Sequence, residues 1–176
     1  MVDPRYRLRP ATAADRGQLL TLYATTRADE LTLTGWPEAQ CLAFAEMQFD
    51  AQTKHYSQHW PQSLCHLILV DVGRGCSAEE QVAGRLWLDR RADSLHVLDI
   101  SLLPMHRGQG LGSRCLRDLM ARAGAEGLPL SISVEIHNPA RRLYQRLGFN
   151  AQGEPLGLYQ RMAWHPASLR EPMQQE

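Results

Sequence analysis

The segment His106-Arg107-Gly108-Gln109-Gly110-Leu111-Gly112 constrains this chain more than any other. It follows an apolar, strand-like run from Leu95 to Leu103. It also opens a helical pattern that sets Leu111, Cys115, Leu116, Leu119, Met120 and Ala123 on one face. A strand, a glycine-rich turn and a helix N-terminus, in that order, form a site for an anion. Glycine carries no side chain, so backbone N–H groups can approach a phosphate closely. The unpaired N–H groups of the helix add partial positive charge, and Arg107 and Arg114 stand ready to add full charges at either end.

Two common phosphate loops are excluded by spacing. A Walker A loop ends in Gly-Lys-Ser/Thr, and Gly110-Leu111-Gly112-Ser113 has no lysine. The dinucleotide fingerprint needs G-x-G-x-x-G after the first strand of a fold, whereas Gly108-x-Gly110-x-Gly112 is spaced differently and comes late. The segment does match Arg-x-x-Gly-x-Gly, through Arg107, Gly110 and Gly112. In this it resembles the acyl-CoA pyrophosphate loop of the GNAT acetyltransferase superfamily, and Leu102-Leu103-Pro104 resembles the strand-to-loop signature before it. A second stretch, Asn138 to Phe149, resembles that family's Asn-x-x-Ala-x-x-x-Tyr-x-x-x-Gly-Phe signature, with the alanine one place off at Ala140. The resemblance covers Leu64 to Trp164 well, and the N-terminal third by general layout.

The resemblance implies an α+β (α/β) fold. Its centre is a mixed, mostly antiparallel twisted sheet of about seven strands, flanked by about four helices. Length agrees: 176 residues suit a single domain, expected over residues 1–166 with a polar tail at 167–176. With 19 basic and 19 acidic residues the formal charge is zero, so nothing steers the chain to nucleic acid. No apolar run approaches the roughly 20 residues of a membrane span, and the N-terminus has no apolar signal core. Cys41, Cys65, Cys76 and Cys115 lack C-x-x-C spacing, which indicates neither a zinc site nor a disulfide framework. A cytoplasmic location is expected, with no metal.

Taken in order, Tyr6 to Arg9 reads as a strand. Thr12 and Asp15 make a capping box before a helix whose apolar face carries Leu19, Leu20 and Tyr23. Pro37 suits the first turn of a second, long helix running to about Gln58 with Leu42, Ala45, Phe49 and Tyr56 on one side. Leu64–Val72 and Val82–Asp89 are strands joined by the loop Gly73 to Gln81, and Arg90–Asp93 turns into the strand Leu95–Leu103. The following helix is expected to close at Gly127, and Leu130–Ile136 to be a strand buried on both faces. Asn138 fits the N-cap of the next helix and Gly148 the cap beyond its end, with Phe149 folding back on Tyr144 or Leu147. Ala151–Glu154 and Leu158–Trp164 read as the last strand pair.

The activity implied is acetyl transfer from acetyl-CoA to a primary amine of a small molecule, amino acid or peptide, through a ternary complex. Its alternative is a non-catalytic acetyl-CoA sensor or adaptor. By the resemblance, Leu102 and Leu103 supply backbone contacts to the pantetheine. Arg107, Gly108, Gln109, Gly110, Leu111, Gly112 and Ser113 hold the diphosphate, and Asn138 and Tyr144 contact the cofactor. Tyr144 is the expected acid for the leaving thiolate. Glu30, Trp36 and Glu38 are candidates for the acceptor, because the first two helices and their loop flank the acceptor groove in that family. Glu135, Asp99, His96 and His137 are candidate bases, and none is singled out. Cys115 lies in its helix's apolar stripe, as a buried structural thiol does. Monomer and homodimer both remain open.

Overall fold

The computed structural model describes residues 6–72 and 79–169. Their elements are β1 (Tyr6–Pro10), α1 (Arg16–Thr32), α2 (Glu38–His59), β2 (Leu64–Val72), β3 (Glu79–Arg90) and β4 (Leu95–Leu102). After these come α3 (Leu111–Ala125), β5 (Leu130–Glu135), α4 (Ala140–Arg146), β6 (Asn150–Ala151) and β7 (Tyr159–Trp164). The strands form one mixed, mostly antiparallel seven-stranded sheet in the order β1-β2-β3-β4-β5-β7-β6. Contacts divide the described residues into two compact units. One comprises Met1–Trp87 with Asp99–Leu111, the other Leu88–Leu98 with Gly112–Glu176, so β3 and β4 each run from one into the other.

The first unit begins with β1 antiparallel to β2, from Tyr6↔Val70 to Pro10↔His66. The capping box forms as the sequence indicates: the Asp15 carboxylate accepts from the Thr12 N–H (2.7 Å) and is also gripped by Arg9 (2.7 Å). It caps a short 3₁₀ turn that leads into α1. Leu19 and Tyr23 of α1, Ala45 and Phe49 of α2, and Leu67 and Leu69 of β2 then pack into one core. Each fully buried leucine or phenylalanine there contributes about 1.5–3 kcal/mol. Leu42 departs from the expected apolar face and is exposed. Pro37 sits just before the first helical residue, Glu38, rather than inside the first turn. β3 starts at Glu79, so the expected loop to Gln81 is shorter than its glycines suggest, and residues 73–78 of it lie outside the described part.

In the second unit β5 pairs parallel with β4 (Leu95↔Leu130 to Val97↔Ile132) and antiparallel with β7. α3 buries Cys115, Leu116, Leu119 and Ala123, the stripe predicted from spacing. Both predicted glycine caps form the same closure. Gly127 (φ 68°) lets Leu128 donate to the Ala123 carbonyl (2.8 Å). Gly148 (φ 91°) lets Phe149 donate to that of Tyr144 (3.0 Å). Phe149 folds back so that its ring centroid is 6.0 Å from that of Tyr144. The burial expected for Leu130–Ile136 holds on one face only, since Ser133 and Glu135 are exposed. The first strand of the final pair is shorter than the expected Ala151–Glu154, since β6 is only Asn150–Ala151, and β7 starts at Tyr159 rather than Leu158.

Candidate active site

The end of β4 sets the first part of the site. Leu103 donates its N–H to the Ala83 carbonyl of β3 at 2.8 Å. Successive residues of a strand direct their backbone groups to opposite sides, so the N–H and C=O of Leu102 face away from β3. The Leu102 carbonyl accepts Nε of Arg107 at 2.8 Å, which leaves its N–H on that edge. The chain then makes a 3₁₀ turn at Pro104–His106 and extends at Arg107 (φ −78°, ψ 157°).

Gly108 (φ 71°) and Gly110 (φ 84°) both take left-handed backbone angles. An added Cβ at either would meet nothing within 4 Å, so backbone conformation, not crowding, requires glycine at these positions. Gln109 braces the loop by donating Nε2 to the Met105 carbonyl (2.6 Å). α3 starts at Leu111, and the first N–H groups of a helix have no acceptor within it. Exposed N–H groups at the end of a left-handed turn, backed by the helix dipole and by Arg107, suit a diphosphate.

Asn138 and Tyr144 belong to the second unit. The Asn138 side chain accepts the Ala140 N–H at 2.9 Å at the start of α4, although Pro139, not the expected Asn138, holds the N-cap position. Tyr144 is 5% exposed, and its place is fixed by the α4 helix and the closure at Gly148.

The four candidate bases separate by environment. His96 is buried, with Nδ1 2.7 Å from Ser131 Oγ, and its pKa is pushed down to about 4 by burial and then by Arg161 and Arg91. It is neutral at pH 7 and sealed from solvent. Glu135 is exposed on β5 and accepts the Tyr159 hydroxyl at 3.2 Å. His137 is exposed beside the α4 cap. Asp99 belongs to an inner polar cluster in the first unit that the sequence did not reveal. Arg85 of β3 donates Nε to it at 2.7 Å and Nη2 to Gln52 of α2 at 2.7 Å, with its guanidinium 5.5 Å from the Tyr23 ring. Ser101 donates its hydroxyl to both Asp99 oxygens at 3.1 Å. The signal was a lone arginine in the middle of the apolar run Val82–Leu88, one hairpin away from a lone aspartate in the next. Cys65 lies in the same electrostatic neighbourhood, and burial pushes its thiol up to about 11. Cys115 is 1% exposed, which suits packing and not nucleophilic attack.

The three acceptor candidates part company. Glu30 is exposed and pairs with Arg27 at 2.8 Å. Trp36 stands edge-on to Phe44 with centroids 5.4 Å apart. It lines a cavity of about 360 Å³ between α1 and α2, together with Ala28, Leu31, Glu38, Cys41 and Leu42. Glu38, not Glu30, supplies the carboxylate there. A larger open depression of about 570 Å³ at Asn150, His165 and Leu169 contains none of the candidate site residues. Among the described residues no cluster of three or more His, Cys, Asp or Glu could hold a metal ion, and no helix is long and apolar enough to cross a membrane.

Comparison with known proteins gives the family and the fold. Residues 33–149 match the Acetyltransferase (GNAT) family, and the chain belongs to that family of acyl-CoA N-acyltransferases. Solved structures share the fold at low identity. The PaiA N-acetyltransferase of Thermoplasma acidophilum, in complex with coenzyme A, has 14% identity and a TM-score of 0.63, covering 92% of this chain and 99% of that one. The spermidine N-acetyltransferase of Vibrio cholerae, in complex with CoA and spermine, has 16% identity and a TM-score of 0.61, covering 92% and 96%. An acetyltransferase of Thermus thermophilus has 21% identity and a TM-score of 0.60, covering 91% and 96%.

Proposed function

We propose that this protein transfers the acetyl group of acetyl-CoA directly to a primary amine within a ternary complex. The observation that carries the reading is the loop after β4, whose two left-handed glycines lead into the N-terminus of α3 beside the open edge at Leu102. Acetyl-CoA supplies an activated thioester. The chain's own residues hold it and manage the protons. The backbone of Leu102 pairs with the pantetheine as an added strand would, and its N–H polarises the thioester carbonyl. Leu103 ties this edge to β3. The N–H groups of Gly108, Gln109, Gly110, Leu111, Gly112 and Ser113, with the Arg107 guanidinium, hold the diphosphate.

The same reading assigns Asn138 to the cofactor and Tyr144 to both its binding and the protonation of the leaving thiolate, which a phenol can supply through one hydrogen bond. The acceptor amine is a small molecule, an amino acid or a peptide. Its body rests against Trp36, with Glu38 favouring a cation, which is where the cavity between α1 and α2 supports the reading. A reducing cytoplasm suits both the substrate and the free thiols of Cys41, Cys65 and Cys115.

Calorimetry with acetyl-CoA, followed by a thiol-release assay against a panel of amines, amino acids and peptides, tests this. Binding with turnover on one acceptor class is the expected result. Binding without turnover on any acceptor identifies a sensor instead, and no binding overturns the assignment of the loop.

A further inference from the structure

The proposed transfer has a proton to remove as well as one to supply. An alkylammonium with a pKa near ~10 must be deprotonated before it can attack. The cluster around Asp99 has the layout of a proton acceptor rather than of a purely structural ion pair. Arg85 is sealed, with its side chain 2% exposed, whereas the Asp99 side chain is 20% exposed, so only the carboxylate end can meet a substrate. Arg85 Nη1 is buried without a hydrogen-bond partner, although its neighbours Nε and Nη2 are both used. Ser101 donates to Asp99 and keeps its oxygen lone pairs for a further donor. It also immediately precedes Leu102, whose N–H is the one proposed to polarise the thioester carbonyl.

We infer that Ser101 and Asp99 form the relay that deprotonates the acceptor amine, with Arg85 as the positioning residue behind them. The inference rests on the proposed acetyl transfer. Ser101 Oγ takes a proton from the ammonium nitrogen as its own proton passes to the Asp99 carboxylate. The freed lone pair forms the C–N bond to the acetyl carbon, and the C–S bond breaks. The nitrogen sheds its second proton to solvent as the amide forms. Tyr144 gives one to the thiolate and regains one from solvent. Asp99 releases its proton before the next turnover.

Among the described residues, the charged and titratable groups of this cluster include Arg85 of β3, Cys65 of β2, which also feels Asp15, and, across the guanidinium, Tyr23 of α1, with the neutral Gln52 of α2. Of these, the Cys65 thiol stays neutral below about pH 11.

The test compares wild type, Ser101→Ala and Asp99→Asn for acetyl-CoA binding by calorimetry and for turnover from pH 6 to 10. The acceptor is the amine of the panel that wild type turns over fastest. Ser101→Ala leaves the Arg85–Asp99 pair untouched, so it carries the test even if Asp99→Asn fails to fold. The expected result is unchanged acetyl-CoA binding with turnover at pH 7 reduced about 10²-fold or more. The deficit should shrink as the pH nears that of the free amine, which needs no base. Folded variants that turn over within twofold of wild type at pH 7 overturn the relay. So does a deficit equal at every pH, which marks a structural role. A wild type that binds no acetyl-CoA overturns the acetyl-transfer reading itself, and the relay with it.

Discussion

The Arg85–Asp99 pair makes a stability prediction separate from its chemistry. Arg85→Met removes the guanidinium of a side chain that is 2% exposed and leaves the Asp99 carboxylate with Ser101 as its remaining donor and the Gln52 amide oxygen without its arginine donor. Breaking a buried pair from one side typically costs about 3–5 kcal/mol, because the remaining charge stays desolvated. The methionine recovers part of the packing of the arginine stem, but not the contact with the Tyr23 face, which is worth about 0.5–2 kcal/mol. The low end of the pair range, about 3 kcal/mol, is therefore expected, since Asp99 can still reach water and Ser101. For a chain of this length that corresponds to a fall in melting temperature of about 6–12 °C.

The double variant Arg85→Met/Asp99→Leu removes both charges and should regain most of the loss. The assay is urea unfolding of wild type, both single variants and the double variant as a cycle, read by far-UV circular dichroism. A cost below about 1 kcal/mol for Arg85→Met, or a double variant no better than the worse single, would refute this reasoning. It would mean that the pair is solvated in solution.

The remaining predictions concern backbone, acid and pH. Gly84→Ala should cost several kcal/mol or prevent folding, because the new Cβ would collide with the Ser101 carbonyl oxygen and lie 2.7 Å from Leu102 Cδ2; expression and thermal melting read this directly. Gly110→Ala has open space but a φ of 84°, so it should cost only about 1–2 kcal/mol in stability while weakening acetyl-CoA binding about tenfold by calorimetry. Tyr144→Phe should bind acetyl-CoA as wild type does and lose about 10²-fold in kcat; undiminished turnover would dismiss the acid role. His96, depressed to about 4, stays neutral in the fold while an unfolded histidine protonates near 6.5. Its contribution, roughly 3 kcal/mol, is therefore complete above pH 6.5 and is lost as pH falls toward 4. His96→Asn should flatten that part of an acid titration followed by circular dichroism.

What could be read from the sequence was what the chain decides within a few residues. The glycine caps at Gly127 and Gly148 form because an L-residue resists the left-handed angle there, and glycine followed by an apolar residue announces the closure. The stripe on α3, the capping box at Thr12 and Asp15, and the turn from β4 through Gly108 and Gly110 to a helix are local in the same sense. Leu42 misled because helical spacing gives a face but not its width: on α2 Cys41 is half-buried in its place, and Leu42 is exposed. Ser133 and Glu135 misled for a related reason. An apolar run sets a mean burial, while β5 alternates its side chains about that mean.

Partners set by strand register could not be read, and the site's charges depend on them. Nothing local says that Arg85 will face Asp99 fourteen residues away, or that Gln52, thirty-three residues before Arg85, will meet the same guanidinium from α2. A hairpin shifted by one residue would turn Asp99 to the opposite face of the sheet. At Gly84 the two strands come too close for a side chain: a Cβ there would collide with the backbone of Ser101 and the side chain of Leu102, and its neighbour Arg85 reaches Asp99. The same approach fixes which of Leu102 and Leu103 keeps an N–H on the open edge. One residue without a side chain thus lies against both the Leu102 N–H proposed to polarise the thioester and the charged pair behind Ser101. Changes at Gly84 should therefore disturb turnover even in a variant that still folds.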